Sequence, residues 1–292
     1  MNAPARLGAF AGVLAALFGG GALAGGALDP DRSPTGADAA PHGAEEQPDH
    51  GGGAQAEHPV RGVAVAENAL RLVVDDPELR RGRTKNVRFR IVESSGDTVR
   101  DFDVEHTERM HVIVVRRDLT GFMHLHPRQD ADGAWSLALK LDAAGSYRLF
   151  ADFSHEDERT TLAADLRVDG TADLRPLAAP APAAISDGGY DVRLDAGRLE
   201  PGEEADLRFT VSKDGRVVST EPYLGAGGHL VALREGDLAF LHVHPTDGDH
   251  AAQAADGVGF AATFPTQGRY RLFLQFKHEG RVQTAAFTQE VS

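Results

Sequence analysis

One stretch limits what this chain can fold into. Residues 111–127 read HVIVVRRDLTGFMHLHP, and 118 residues later 229–245 read HLVALREGDLAFLHVHP. Each is an apolar run, a polar turn, a second apolar run and a closing His-x-His-Pro. Such a stretch is a β-hairpin, and its recurrence makes the chain a tandem repeat. A second pair supports this: YRLFADFSHE from Tyr147 and YRLFLQFKHE from Tyr270 share seven of ten positions. The hairpins share only six of seventeen, yet those six include all three histidines. His111, His124, His126 and His155 thus correspond to His229, His242, His244 and His278.

Around the hairpins the pattern is β throughout. Short alternating runs such as LRLVVD, VRFRIVE, WSLALKL and TLAADLRV are separated by SSGD, DADG, DAAG and HEDE. Strands at this spacing predict antiparallel sandwiches, and sustained helical periodicity is missing. The expected fold is all-β, with two tandem immunoglobulin-like antiparallel β-sandwich modules at 61–170 and 190–292. A Pro- and Ala-rich linker at 171–189 joins them. In each module the repeated hairpin would be strands C and C′, and GSYRLF or GRYRLF would open strand F as a tyrosine corner.

The N-terminus carries an address. Arg6 precedes the uncharged segment Leu7 to Leu28, and Asp29 and Asp31 follow it. That order places the rest of the chain outside the cytoplasm, with residues 1–28 as a signal peptide or an N-terminal membrane anchor. Cleavage after Ala24 and retention in the membrane both fit the segment. Residues 29–60, rich in Pro, Gly, Ala, Asp and Glu, predict a disordered linker, and His42, His50 and His58 are expected to be solvated there.

Charge and composition exclude several functions. A formal net charge of −14 lacks the basic stripe that nucleic-acid binding needs. The chain contains no cysteine, which removes disulfides, thiolate chemistry and the usual blue-copper ligand set. No nucleophile elbow, phosphate-binding loop or dinucleotide fingerprint is present, so the expectation is a binding protein rather than an enzyme.

The histidines carry the chemistry. A two-residue turn at Arg117-Asp118, matching Glu235-Gly236, sets His111 opposite His124, and alternation puts His126 on the same face. His155, just past strand F, is expected to join them at the same pole, beside His106 and Glu105. The expectation is one imidazole site per module: His111, His124, His126 and His155, then His229, His242, His244 and His278. Neutral imidazoles without thiolate suit copper or zinc, with copper ahead. Met110 and Met123 flank the first site as thioether donors or as gap-fillers of the core. Glu156 and Glu279 are the general bases a hydrolytic zinc site would need. The expected role is metal buffering or delivery, with a membrane metal transporter or acceptor protein as partner. The rivals are a metal-free surface interaction module and a metal-dependent hydrolase or oxidase.

The motifs RMHVIVVRRDLTGFMHLHP with GSYRLFADF, and GHLVALREGDLAFLHVHP with GRYRLFLQF, resemble a group of uncharacterised exported or membrane-anchored proteins of high-GC Gram-positive bacteria. The resemblance covers both modules and implies location rather than mechanism. In outline the modules are also similar to periplasmic copper-carrier sandwiches.

Overall fold

Short, β-branched and aromatic runs between turn residues give strands throughout. A computed structural model describes residues 61–241, 243–246 and 257–292, and no helix occurs among them. The N-terminal apolar segment, the acidic linker with its three histidines, His242 and His250 lie outside the described residues. Among the described residues no helix is long and apolar enough to cross a membrane.

The first module runs β1 (Ala66–Glu67), β2 (Leu70–Val74), β3 (Glu78–Leu79), β4 (Thr84–Glu93), β5 (His111–Arg116), β6 (Met123–Leu125), β7 (Arg128–Gln129), β8 (Trp135–Lys140), β9 (Gly145–His155) and β10 (Glu158–Val168). One sheet is ordered β1-β2-β4-β8-β7 and the other β3-β10-β9-β5-β6. The pairs are antiparallel except β3 with β10. This is the A-B-E-D and A′-G-F-C-C′ arrangement of an immunoglobulin-like sandwich. Leu72, Phe89, Val112, Leu137, Leu149 and Phe153 fill its interior.

The second module repeats the plan with β11 (Ala183–Ile185), β12 (Asp191–Asp195), β13 (Glu204–Lys213), β14 (Arg216–Val217), β15 (His229–Arg234), β16 (Phe240–Leu241), β17 (His244–Pro245), β18 (Val258–Thr263), β19 (Gly268–His278) and β20 (Arg281–Val291). Its sheets are β11-β12-β13-β18-β17 and β16-β15-β19-β20. Both tyrosine corners form: the Tyr147 hydroxyl donates to Ala143 O at 2.9 Å and the Tyr270 hydroxyl to Thr266 O at 3.0 Å.

A third apolar cluster is shared by the modules. Ile113, Val115 and Phe150 of the first meet Val231, Phe240 and Phe273 of the second. These residues lie on the outer faces of the two C-strand sheets, so the sheets pack against each other. Consequently β5 is buried along its whole length. Phe122 stacks on Phe273 with ring centroids 4.1 Å apart, and Phe150 meets Phe240 at 5.5 Å. In the repeat Phe122 corresponds to Phe240, and Phe150 to Phe273. The two contacts are therefore the same contact made twice, as in an isologous dimer folded into one chain.

The hairpin register corrects the expectation. Ile113 pairs with His124 and Val112 with Leu125, so the ladder runs His111 towards His126 rather than towards His124. The turn is longer than two residues. Leu119 N–H donates to Arg116 O, Arg116 N–H donates to Thr120 O, and Leu119 takes a positive φ to bury its side chain between the modules. Asp118 holds this turn by accepting from Arg116 Nε at 2.9 Å and Nη2 at 2.6 Å. The slip is two residues, and an even slip leaves every side chain on its expected face.

Candidate metal centre

Strand alternation sends His111, Ile113 and Val115 to the outer face of β5, while Val112 and Val114 enter the first module's core. His124 pairs with Ile113 and shares that face. On β15 the same rule directs His229 outward with Val231 and Leu233. Since the outer faces meet, the histidines of one module meet those of the other. The His111 and His124 ring centroids lie 5.2 Å apart, His124 and His229 4.6 Å, and His111 stacks on His229 at 5.9 Å. One potential ligand nitrogen from each of these three falls within 4.8 Å of the other two. The first module supplies two of the imidazoles and the second supplies one.

Hydrogen bonds behind the rings fix which nitrogens are available. His111 Nε2 lies 3.0 Å from Glu105 O. A carbonyl only accepts, so Nε2 carries the proton and Nδ1 keeps its lone pair. His124 Nδ1 lies 2.7 Å from Gln275 Oε1, an acceptor on the second module, so His124 keeps its lone pair on Nε2. His111 Nδ1 and His124 Nε2 stand 3.0 Å apart, within hydrogen-bond distance of each other. Ligands at about 2.0–2.1 Å from a tetrahedral zinc would sit about 3.3 Å from each other, close to the observed spacing. A ring nitrogen facing the site, with the other N–H held by a carbonyl, is the arrangement metal-bound histidines adopt.

Burial favours the neutral form of the imidazoles of His124, His126 and His106. His111 is 3% exposed. Burial, aided by the neighbouring His111, holds His124 down to about 3, against the opposing effect of its bond to Gln275. Burial also lowers His126 and His106. His111 adds to this in both cases and Arg159 adds to it for His106. Asp152, cross-strand partner of His111, is raised by burial and accepts a 2.6 Å hydrogen bond from Thr161. Its repeat counterpart is Gln275, cross-strand partner of His229.

The other sequence-selected histidines lie in different places. The His126 ring is 5.0 Å from His111 and 4.9 Å from His124, at the rim of the trio. The expected convergence of His155 does not occur. On β9 it follows Leu149, Ala151 and Phe153 on the inner face, whereas Asp152, paired with His111, is on the outer one. Its Nδ1 donates to Asp101 O at 2.9 Å, and its ring lies 6.1 Å from Phe102. For the same reason of alternation His278 shares a face with Phe276 and lies 2.9 Å from the Tyr190 hydroxyl. His244 is exposed on β17, which pairs with the opposite sheet at Ala261. So His111, His124 and His229 form one cluster spanning two modules, where the sequence suggested one site in each.

Both methionines prove to be core residues. Met110 is buried in the first module's interior and Met123 packs against the same cluster, each on the face opposite the adjacent histidine. Gln275 escaped the sequence reading, which placed Glu105 and His106 at this pole without giving them a role. Gln275 gave no signal of its own, although alternation from Phe273 places it beside His229. Glu105 acts through its backbone carbonyl, which no side-chain pattern reveals. His106 was noted only as a loop residue. It occupies a tight turn with φ of 49°, an uncommon conformation outside glycine, and its ring lies 6.2 Å from His111 and 6.1 Å from His229.

No curated protein matches the chain by sequence. Among solved structures it is similar to the Lin-41 filamin domain, at 14% identity and TM-score 0.27, over 36% of this chain and 97% of that one. It is also similar to the Escherichia coli adhesin FdeC, at 13% identity and TM-score 0.27, over 78% of this chain and 66% of the adhesin. A third likeness is to trypsin-activated alpha-2-macroglobulin from Escherichia coli, at 13% identity and TM-score 0.28, over 80% and 16%. Similarity this low says nothing of what the chain does. The family model described as "Domain of unknown function (DUF8832)" matches residues 64–170 and again 183–292, and the chain belongs to that family.

Proposed function

We propose that this protein binds a late first-row metal ion outside the cytoplasm and buffers or delivers it. The ion would be held by His111, His124 and His229 at the contact between the modules. The observation that carries this reading is the convergence of the three imidazoles, with His111 Nδ1 and His124 Nε2 3.0 Å apart and their opposite nitrogens at Glu105 O and Gln275 Oε1. Three imidazoles without thiolate suit Cu(II) and Zn(II). Copper stays ahead of zinc because divalent affinity for nitrogen sites peaks at Cu(II), not because of the methionines. Export is supported by the N-terminal segment, with its positive residue before the apolar run and acidic residues after it.

Neither of the two acids that a hydrolytic site was expected to use adjoins the trio. Glu156 and Glu279 sit in the turns that follow His155 and His278, not beside the trio. A carried ion needs an acceptor, which for an exported protein would be a membrane transporter or another extracytoplasmic metalloprotein.

The test is titration of the full chain with Zn(II) and Cu(II) at neutral pH, reading stoichiometry and thermal shift. One ion per chain with a raised unfolding temperature, lost in His124→Ala, is the expected result. No binding by the wild-type chain would refute the reading and leave the histidines as an interface between modules.

A further inference from the structure

We infer that His126 is the transfer ligand of this site: an ion enters and leaves by exchanging His229 for His126 while His111 and His124 keep hold of it. The inference rests on the metal-binding reading above and adds a route to it. His126 makes ring contact with His111 at 5.0 Å and with His124 at 4.9 Å, the two imidazoles that the first module gives to the trio. It stands outside the group whose ligand atoms lie within 4.8 Å of one another, so in this conformation it is a neighbour of the site, not a member. Its Nε2 is nevertheless buried and has no hydrogen-bond partner. A buried polar atom normally finds one, and an unsatisfied imidazole nitrogen against a metal-ligand cluster marks a ligand held in reserve.

Position suits His126 to exchange. Its side chain is 26% exposed, whereas His111 is 3% exposed, so of these two it is the one that reaches solvent, as the half-buried His124 and His229 also do. Its Nδ1 lies 3.8 Å from Glu108 Oε1, and Nε2 is the nitrogen left without a hydrogen-bond partner. It sits just beyond the short strand β6, where the chain leaves one sheet for the other, and a ring rotation there disturbs no ladder bond. Two overlapping three-imidazole stations result: the inner one spans both modules, and the outer one lies within the first. Exchange then proceeds by ligand substitution. His126 Nε2 donates its lone pair to the ion as the His229 nitrogen withdraws, and charge and protonation stay balanced throughout.

The experiment uses the full chain loaded with one equivalent of Zn(II) or Cu(II) and challenged with a chelator. His126→Ala is expected to retain one ion at an affinity within about threefold of wild type and to release it at least about tenfold more slowly. In the complementary variant, His229→Ala, the outer station remains, so binding weakens without vanishing and release is faster than in wild type. Wild-type release kinetics in His126→Ala would overturn the inference, as would complete loss of binding in either variant. Metal-free thermal midpoints of both variants confirm that they fold. A wild-type chain that binds no ion would instead overturn the underlying reading, an outcome visible in the first titration.

Discussion

Gln275 of the second module lies 2.7 Å from Nδ1 of His124 in the first, and that one bond decides which nitrogen of His124 faces His111. A bond across the module boundary therefore sets the chemistry of a ligand. Gln275→Leu removes the acceptor and frees the ring to turn. Metal affinity should fall by about 10–100-fold, the usual consequence of losing a partner behind a ligand. Titration of the variant, with the metal-free unfolding midpoint as a control on the fold, measures this. An unchanged affinity would deny Gln275 its orienting role.

The metal-free chain should lose stability as pH falls. His124 is held near 3 in the fold by burial, while a histidine in the unfolded chain titrates near 6.5. Below about 6.5 the unfolded chain takes up a proton that the fold refuses. Stability is therefore full above that pH and declines towards about 3, by up to about 1.4 kcal/mol per pH unit for this group. His106 and His126, also lowered by burial, steepen the decline. Urea midpoints between about pH 7 and pH 5 should shift downward, and a flat profile would contradict the burial of neutral imidazoles.

The aromatic contacts between modules should make them unfold together. Phe273 stacks on Phe122 and is 3% exposed. Phe273→Ala should cost about 3–5 kcal/mol. It should also split a single calorimetric transition into two, because the sandwiches keep separate interiors. One sharp transition in the variant would show that the shared cluster does not couple them.

Two acids that pair with equivalent arginines, Arg116 and Arg234, should differ in importance. Asp118 pairs with Arg116 where both side chains are nearly inaccessible, whereas Asp237, which pairs with Arg234, is 44% exposed. Asp118→Ala leaves a buried guanidinium without its partner and should cost about 3–5 kcal/mol. Asp237→Ala should cost about 1 kcal/mol or less. Denaturant midpoints of the two variants provide the comparison, and equal losses would refute it.

His155 and His278 serve as controls. Each is engaged on the inner face of its sheet, with Asp101 O and the Tyr190 hydroxyl respectively. Substituting either by Ala should leave metal stoichiometry and affinity unchanged. A loss of binding in His155→Ala would restore the separate site that the sequence suggested for the first module.

Much of this was legible in the sequence because it follows from local rules. The repeat, the tyrosine corners at Tyr147 and Tyr270, and the common face of His111, His124 and His126 all follow from spacing and alternation. The register was off by two because the turn is built around the Arg116–Asp118 pair and a left-handed Leu119, neither of which has a distinctive motif. His155 stands an odd step from Asp152, the cross-strand partner of His111, and so takes the other face of β9. The meeting of the modules is not a local property. Its trace is HVIVVR, apolar at nearly every position, the pattern of a strand buried on both faces rather than one facing water. Read that way, the run calls for a second apolar surface, and the repeated sheet is the nearest candidate.

The most direct test of the central claim is anomalous diffraction at the metal edge from crystals of the full chain grown with Cu(II) or Zn(II). A single strong peak is expected between the modules, with His111 Nδ1, His124 Nε2 and a nitrogen of His229 at about 2.0–2.1 Å. Peaks confined to exposed histidines such as His244, with none between His111 and His124, would contradict it.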